Sequence, residues 1–135
     1  MDYMLGCNYW ASHAGIYMWR HWNEKVIRDD LEFLSGHKVN TLRVFPLWSD
    51  FQPISLQKKG SGYIIRLFDK KIGNENPAGL DPVMFDRFSV FLGIAKAHNM
   101  KVIPSLITGW MSGRLFAPEA LLKENLIKSS LALRW

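Results

Sequence analysis

Two rhythms of apolar and polar positions alternate along the chain. Short, nearly continuous apolar runs occur at Met4 to Tyr9, Thr41 to Phe45 and Lys101 to Ile107, whereas elsewhere apolar residues recur every three or four positions. The runs have the length of buried strands, and the spaced residues place one apolar face on a helix. A first helix is predicted from Asn23, a capping residue, through Ile27, Leu31 and Leu34, with Gly36 as its stop. A second has Asp81 as cap and Pro82 in its first turn. Phe85, Phe88, Leu92 and Ala95 then lie along one face as far as about Asn99. A third covers Pro118 to Leu133, with Leu121, Leu122, Leu126 and Leu131 as its apolar residues. Pro104 lies inside the third run. It would take a ladder hydrogen bond from a central strand, so a bulge or local bend is expected there. The stretch from Pro46 to Leu80 is too long for a plain strand-to-helix connection. Within it Gly60-Ser61-Gly62 separates Ile54 to Lys58 from Tyr63 to Phe68, the pattern of a small β-hairpin.

The order strand, helix, strand, helix, strand, helix implies a parallel sheet with right-handed crossovers. Three strands cannot close a barrel that needs eight strands and about 250 residues. The α/β chain is therefore either part of a (β/α)₈ barrel, about three βα units with a hairpin insertion after the second strand, or a small open sheet. Both leave edge strands exposed, and a partial barrel would also expose the inner faces of its helices. The isolated chain is accordingly expected to be poorly behaved or to associate.

Composition narrows the function classes. With 48% apolar and 21% charged residues the 135-residue chain has the balance of a globular domain. Seventeen Lys and Arg against twelve Asp and Glu give a net charge of +5. The excess is scattered, so no nucleic-acid partner is expected. No apolar run reaches the ~18 residues of a membrane span, and Met1-Asp2-Tyr3-Met4 lacks the layout of a secretory signal, which makes a cytoplasmic site, or a mature or trimmed form, the default expectation. Cys7 is the sole cysteine, excluding an internal disulfide and zinc sites built on cysteine pairs; it reads as a small buried residue. His13, His21, His37 and His98 lack metal-ligand spacing, so neither a metal nor a cofactor is predicted.

Six Trp, eight Phe and four Tyr are many for this length. Most Phe fall in periodic segments, but Trp10, Trp19, Trp22, Trp48 and Trp110 follow apolar runs or lie in loops. Parallel α/β folds place their sites at the carboxyl ends of the strands. There the chain offers Asn8, Tyr9, Trp10, His13, Trp19 and Trp22, then Arg43, Trp48 and Asp50, then Trp110, Ser112 and Arg114. Flat rings beside a few hydrogen-bonding groups suit a sugar, whose C–H faces stack while its hydroxyls need paired donors and acceptors.

The run Gly6-Cys7-Asn8-Tyr9-Trp10, Asp30-Leu31, Val39-Asn40-Thr41-Leu42-Arg43-Val44-Phe45 with Trp48, Leu80-Asp81-Pro82 and Gly109-Trp110-Met111-Ser112-Gly113 resemble the N-terminal third of clan A glycoside hydrolases. The similarity is closest to family 5, the cellulase and β-mannanase group, and takes in nearly the whole of residues 1–135. The resemblance implies a barrel enzyme that hydrolyses β-glycosidic bonds with retention. It also implies two glutamates, a general acid and base after the fourth strand and a nucleophile after the seventh. Neither segment is found here, so the chain alone is expected to be inactive, and the only Asn-Glu pairs, Asn23-Glu24 and Asn74-Glu75, lie elsewhere. Arg43 matches the family arginine that orients the nucleophile and holds it ionised. At the end of the third strand Trp110 stands where the family often has a histidine.

The substrate-binding set read from the sequence is thus Arg43, Trp48, Trp110, Trp10, Tyr9 and Asn8, with an oligosaccharide or polysaccharide as ligand and a C-terminal remainder of a barrel, or a second copy, as partner. A non-catalytic sugar-binding subunit is the alternative. For Trp48 and Trp110 stacking and plain packing both stay open, and Trp19 and Trp22 can simply pack the loop. Asp50 reads as a turn or cap residue. Glu119 suits the positive end of a helix.

Overall fold

A computed structural model describes residues 3–60, 62–67, 70–71, 74–76, 78–111 and 113–123. In chain order its elements are β1 (Gly6–Asn8), a 3₁₀ turn (Gly15–Tyr17), α1 (Glu24–Gly36), β2 (Thr41–Val44), α2 (Trp48–Phe51), β3 (Ile54–Lys59), β4 (Gly62–Leu67), β5 (Lys70–Lys71), α3 (Pro82–Ala97), β6 (Lys101–Pro104), β7 (Trp110–Met111), β8 (Arg114–Leu115) and α4 (Glu119–Lys123). The chain divides into two compact units, Met1–Pro46 with Val83–Leu106, and Leu47–Pro82 with Ile107–Trp135.

The first unit is a three-stranded parallel sheet in the order β1, β2, β6. Its register sets Gly6, Thr41 and Lys101 side by side, then Cys7, Leu42 and Val102, then Asn8, Arg43 and Ile103. Gly6 is the position of closest approach: a Cβ there would lie 3.2 Å from the Thr41 carbonyl oxygen. Strand side chains alternate between faces. Leu42 and Val44 point to the fully buried side. With the other face exposed, both helices pack on that side, where α1 buries Ile27 and Leu31, and α3 buries Met84, Phe91, Ile94 and Ala95. The opposite face, with Asn8, Arg43 and Ile103, is exposed.

Asn23 caps α1 as its side chain accepts from the Val26 N–H, satisfying one of the donors a helix start leaves open. The core face of α3 differs from expectation. Phe85 and Leu92, read as core, are each 40% exposed, while Met84 and Phe91 take their places beneath. The cause is composition: α3 is apolar almost all round, so two faces satisfy helical spacing and tertiary packing chooses between them. The expectation that a partial barrel exposes the inner faces of its helices is corrected: α1 and α3 bury their sheet-facing sides, while α3 keeps Val83, Phe85, Val90 and Leu92 exposed on its flanks and the sheet leaves one face open.

β6 stops at Pro104, shorter than the apolar run, and the chain bends two residues later at Leu106. Lys101 and Ser105 donate their N–H groups to the Asn40 and Val44 carbonyls of the β2 side. Donors alternate along a strand, so the Pro104 nitrogen points to the other edge and no bond to β2 is lost.

In the second unit β3 and β4 pair antiparallel, from Ile54 opposite Leu67 to Lys59 opposite Gly62, and β5 adds to β4. Gly60 sits at the turn with φ of 60°, a left-handed conformation that hairpin turns require and glycine adopts without penalty. β7 and β8 form a second antiparallel pair. The core gathers Trp48, Ile54, Ala117, Ala120 and Leu121. Ser61, Phe68 and Ser112 lie outside the described residues, as do the later turns of the helix read to Leu133, with Leu126 and Leu131.

Candidate functional site

The carboxyl ends of β1, β2 and β6 bring Asn8, Arg43 and Ile103 to the same level on the open face of the first unit. Met4, Gly6, Cys7, Asn8, Thr41, Arg43 and Ile103 line a shallow hollow of about 390 Å³ there. Arg43 is exposed at its floor. Its Nε donates to Ser105 Oγ at 3.0 Å, and its guanidinium carbon lies 5.0 Å from the centre of the Phe45 ring, within cation–π range. Among the described residues its two terminal nitrogens have no hydrogen-bond acceptor. A guanidinium held at Nε keeps a planar, two-pronged donor face, the shape that matches a carboxylate.

Phe45 is fixed in turn. Trp10 stacks on its ring at 5.0 Å with 20° between planes, and the Trp19 indole N–H donates to its carbonyl at 2.9 Å. Trp19 is fully buried, with Phe88 and Phe91 edge-on and Trp22 stacked. Its carbonyl accepts from Arg87. These two loop tryptophans therefore pack.

Asn40, three positions before Arg43, has a structural task. Its Oδ1 accepts from the Leu5 N–H at 3.0 Å and its Nδ2 donates to the Tyr3 carbonyl at 2.7 Å. The amide thus extends the ladder between β1 and β2 by one more step and sets the level at which Asn8 meets Arg43.

Two residues read as substrate-binding are corrected. Tyr9 is only 4% exposed. Its ring stacks on Phe91 and its hydroxyl donates to Asp30 Oδ2 at 3.0 Å; Asp30 also accepts from the Ser12 N–H. Burial first, and the Asp30 charge and hydrogen bond next, push the Tyr9 phenol well above its ordinary range. Trp48 is 6% exposed in the core of the second unit, where its indole N–H donates to Gln52 Oε1 at 2.7 Å and Gln52 Nε2 donates to the Ala78 carbonyl. Both rings are occupied by packing because each has an apolar partner and an internal acceptor for its polar end. Gln52, fully buried, was not singled out in the sequence; a glutamine between Phe51 and Pro53 carries no periodic signal.

In the second unit Trp110 is 68% exposed. It stands opposite Leu115 in the β7–β8 pair, and Gly113, with φ of 73°, makes the turn. Asp50 is buried in α2. Glu119 opens α4. Cys7 is half-buried and burial raises its thiol, which leaves it a poor nucleophile at neutral pH. Among the described residues no three His, Cys, Asp or Glu side chains gather as metal ligands, and no helix is long and apolar enough to cross a membrane.

Solved structures similar to this chain are glycoside hydrolases. An exo-β-1,4-mannosidase from Opitutaceae bacterium strain TAV5 is 28% identical at a TM-score of 0.70, over 97% of this chain and 20% of that one. A GH5_18 structure from Streptomyces cattleya, in complex with GlcNAc, is 20% identical at a TM-score of 0.71, over 97% of this chain and 27% of its own. A GH5_18 structure from Bifidobacterium longum subsp. infantis is 19% identical at a TM-score of 0.73, again over 97% and 27%. No protein-family model matches the chain, and no curated protein matches it. The chain thus resembles part of a family 5 glycoside hydrolase barrel and spans 20% to 27% of the length of these structures.

Proposed function

We propose that the chain provides the first βα units of a (β/α)₈ barrel that hydrolyses β-glycosidic bonds with retention, and that its sugar is a β-linked mannoside. The observation that carries this is Arg43. It stands at the carboxyl end of the middle strand, exposed on the sheet face that a closed barrel turns inward, with two donors free among the described residues. The 28% identity to an exo-β-1,4-mannosidase supports the mannoside. In this reading Arg43 orients and keeps ionised a glutamate nucleophile on a later strand, Asn8 hydrogen-bonds the sugar or that glutamate, and Trp10 offers a ring face; Trp110, exposed within the second unit, is a separate candidate for sugar contact. The antiparallel β3–β4 pair is an insertion after the second barrel strand. Both catalytic glutamates belong to strands beyond the third, so this chain alone turns nothing over.

Purified chain incubated with aryl β-mannosides, aryl β-glucosides, soluble mannan and soluble glucan is expected to release no product. Hydrolysis abolished by Asp50→Asn would sink the proposal.

A second reading is favoured by the open sheet face and by the apolar flanks of α3, where Val83 and Val90 lie to one side of the buried face and Phe85 and Leu92 to the other. Both suit elements of a barrel still to be added. Here the chain is a sugar-binding or complementing subunit. Quenching of its tryptophan fluorescence by mannobiose without turnover, and activity gained on mixing with a polypeptide carrying the remaining strands, are the results expected.

A further inference from the structure

We infer that Ser105 is a positioning residue for Arg43, holding the guanidinium at Nε so that its two terminal nitrogens face the open hollow together. The inference rests on the proposed function for what those nitrogens meet, but its geometry stands apart from any sugar. Arginine on a strand has several side-chain torsions free, and an unheld guanidinium on an exposed sheet face would sample many of them. Two contacts restrict it. Ser105 Oγ accepts from Nε at 3.0 Å, and the Phe45 ring lies beneath the guanidinium carbon at 5.0 Å.

Ser105 can do this because β6 ends just before it. Its backbone N–H still donates to Val44, which anchors the residue beside β2, while the chain is already leaving the strand. The Phe45 ring is itself fixed by Trp10. The platform for the cation is thus built from the exits of all three parallel strands: Trp10 after β1, Phe45 after β2 and Ser105 after β6. Nε is the one guanidinium donor on the stem side of the group, so binding it there uses none of the two that point outward. The outward pair reaches a carboxylate already aligned and loses less freedom on binding it.

The test is ¹⁵N NMR of the Arg43 Nε–H in the complete chain, assigned with Arg43→Lys, and compared among wild type, Ser105→Ala and Ser105→Thr. Solvent exchange of that proton is expected to be slower in wild type than in Ser105→Ala by about threefold to tenfold, the range of one net hydrogen bond. Ser105→Thr, which keeps the hydroxyl, is expected to restore it. Equal exchange in wild type and Ser105→Ala would overturn the inference. So would a Ser105→Ala chain whose backbone amide spectrum collapses, because the serine would then serve stability. Mannobiose binding is measured on the same samples. Its absence from wild type beside a slowed Nε–H defeats the carbohydrate reading and leaves the positioning role standing.

Discussion

At Tyr9 a single hydroxyl ties the exit of the first strand to a helix. The folded protein keeps the Tyr9 proton well above the ordinary value of 10.0, through burial and then Asp30. An unfolded chain releases it near that value. The stability that this difference supplies is therefore complete below about pH 10 and is lost as pH rises further. Urea midpoints measured from pH 8 to 11 are expected to fall at the alkaline end, and Tyr9→Phe to flatten that fall while lowering stability at pH 8 by about 1 kcal/mol. An unchanged alkaline slope in Tyr9→Phe would assign the effect elsewhere. Asn40→Ala removes two bonds to the backbone of residues 3 and 5, with an expected cost of about 1–2 kcal/mol in the same measurement. These roles were only partly legible in the sequence. The pair Asn40 and Arg43 stood out by residue type, since a charge in an apolar run demands a reason. Tyr9 and Trp48 looked like site residues because sequence position shows where a strand ends, and not which way a ring turns after it.

At the scale of elements the parallel strands were plain from their apolar runs, and α1 from its cap. The facing of α3 was not. Its mean composition is so apolar that periodicity cannot choose a side, and packing decides. Phe91→Ala is expected to cost about 3–5 kcal/mol, the range for an aromatic removed from a core, whereas Phe85→Ala should cost less than about 1 kcal/mol. Equal losses in thermal or urea unfolding would return α3 to the orientation read from sequence. The β7–β8 pair is hidden in the sequence for a different reason. Two residues per strand carry no alternation to detect, and only Gly113 marked the turn.

At the largest scale, the outstanding property of the first unit is a parallel sheet that, among the described residues, is clothed on one side only. Ile103, half exposed at 50%, sits beside Arg43 on the bare side. The chain is expected to sediment as more than a monomer at micromolar concentration and to bind an environment-sensitive apolar dye. Ile103→Lys should weaken both while shifting the unfolding free energy by no more than about 1 kcal/mol. Dye binding and sedimentation untouched by that substitution would place the adhesive surface elsewhere. The α/β class and its parallel sheet followed from element order alone. That the sheet-facing sides of the helices are covered while one face of the sheet stays bare is decided by packing, which element order does not reveal.

Pro104 gives the far border of that sheet a selectivity of its own. Where another polypeptide would anneal alongside β6, one rung has no hydrogen to offer, and the newcomer must leave an acceptor to water or kink around the ring at that height. Identical copies stacked in register would repeat the same defect at every layer. The border therefore disfavours fibril-like self-templating and admits most readily a strand of different sequence, shaped to skip that rung.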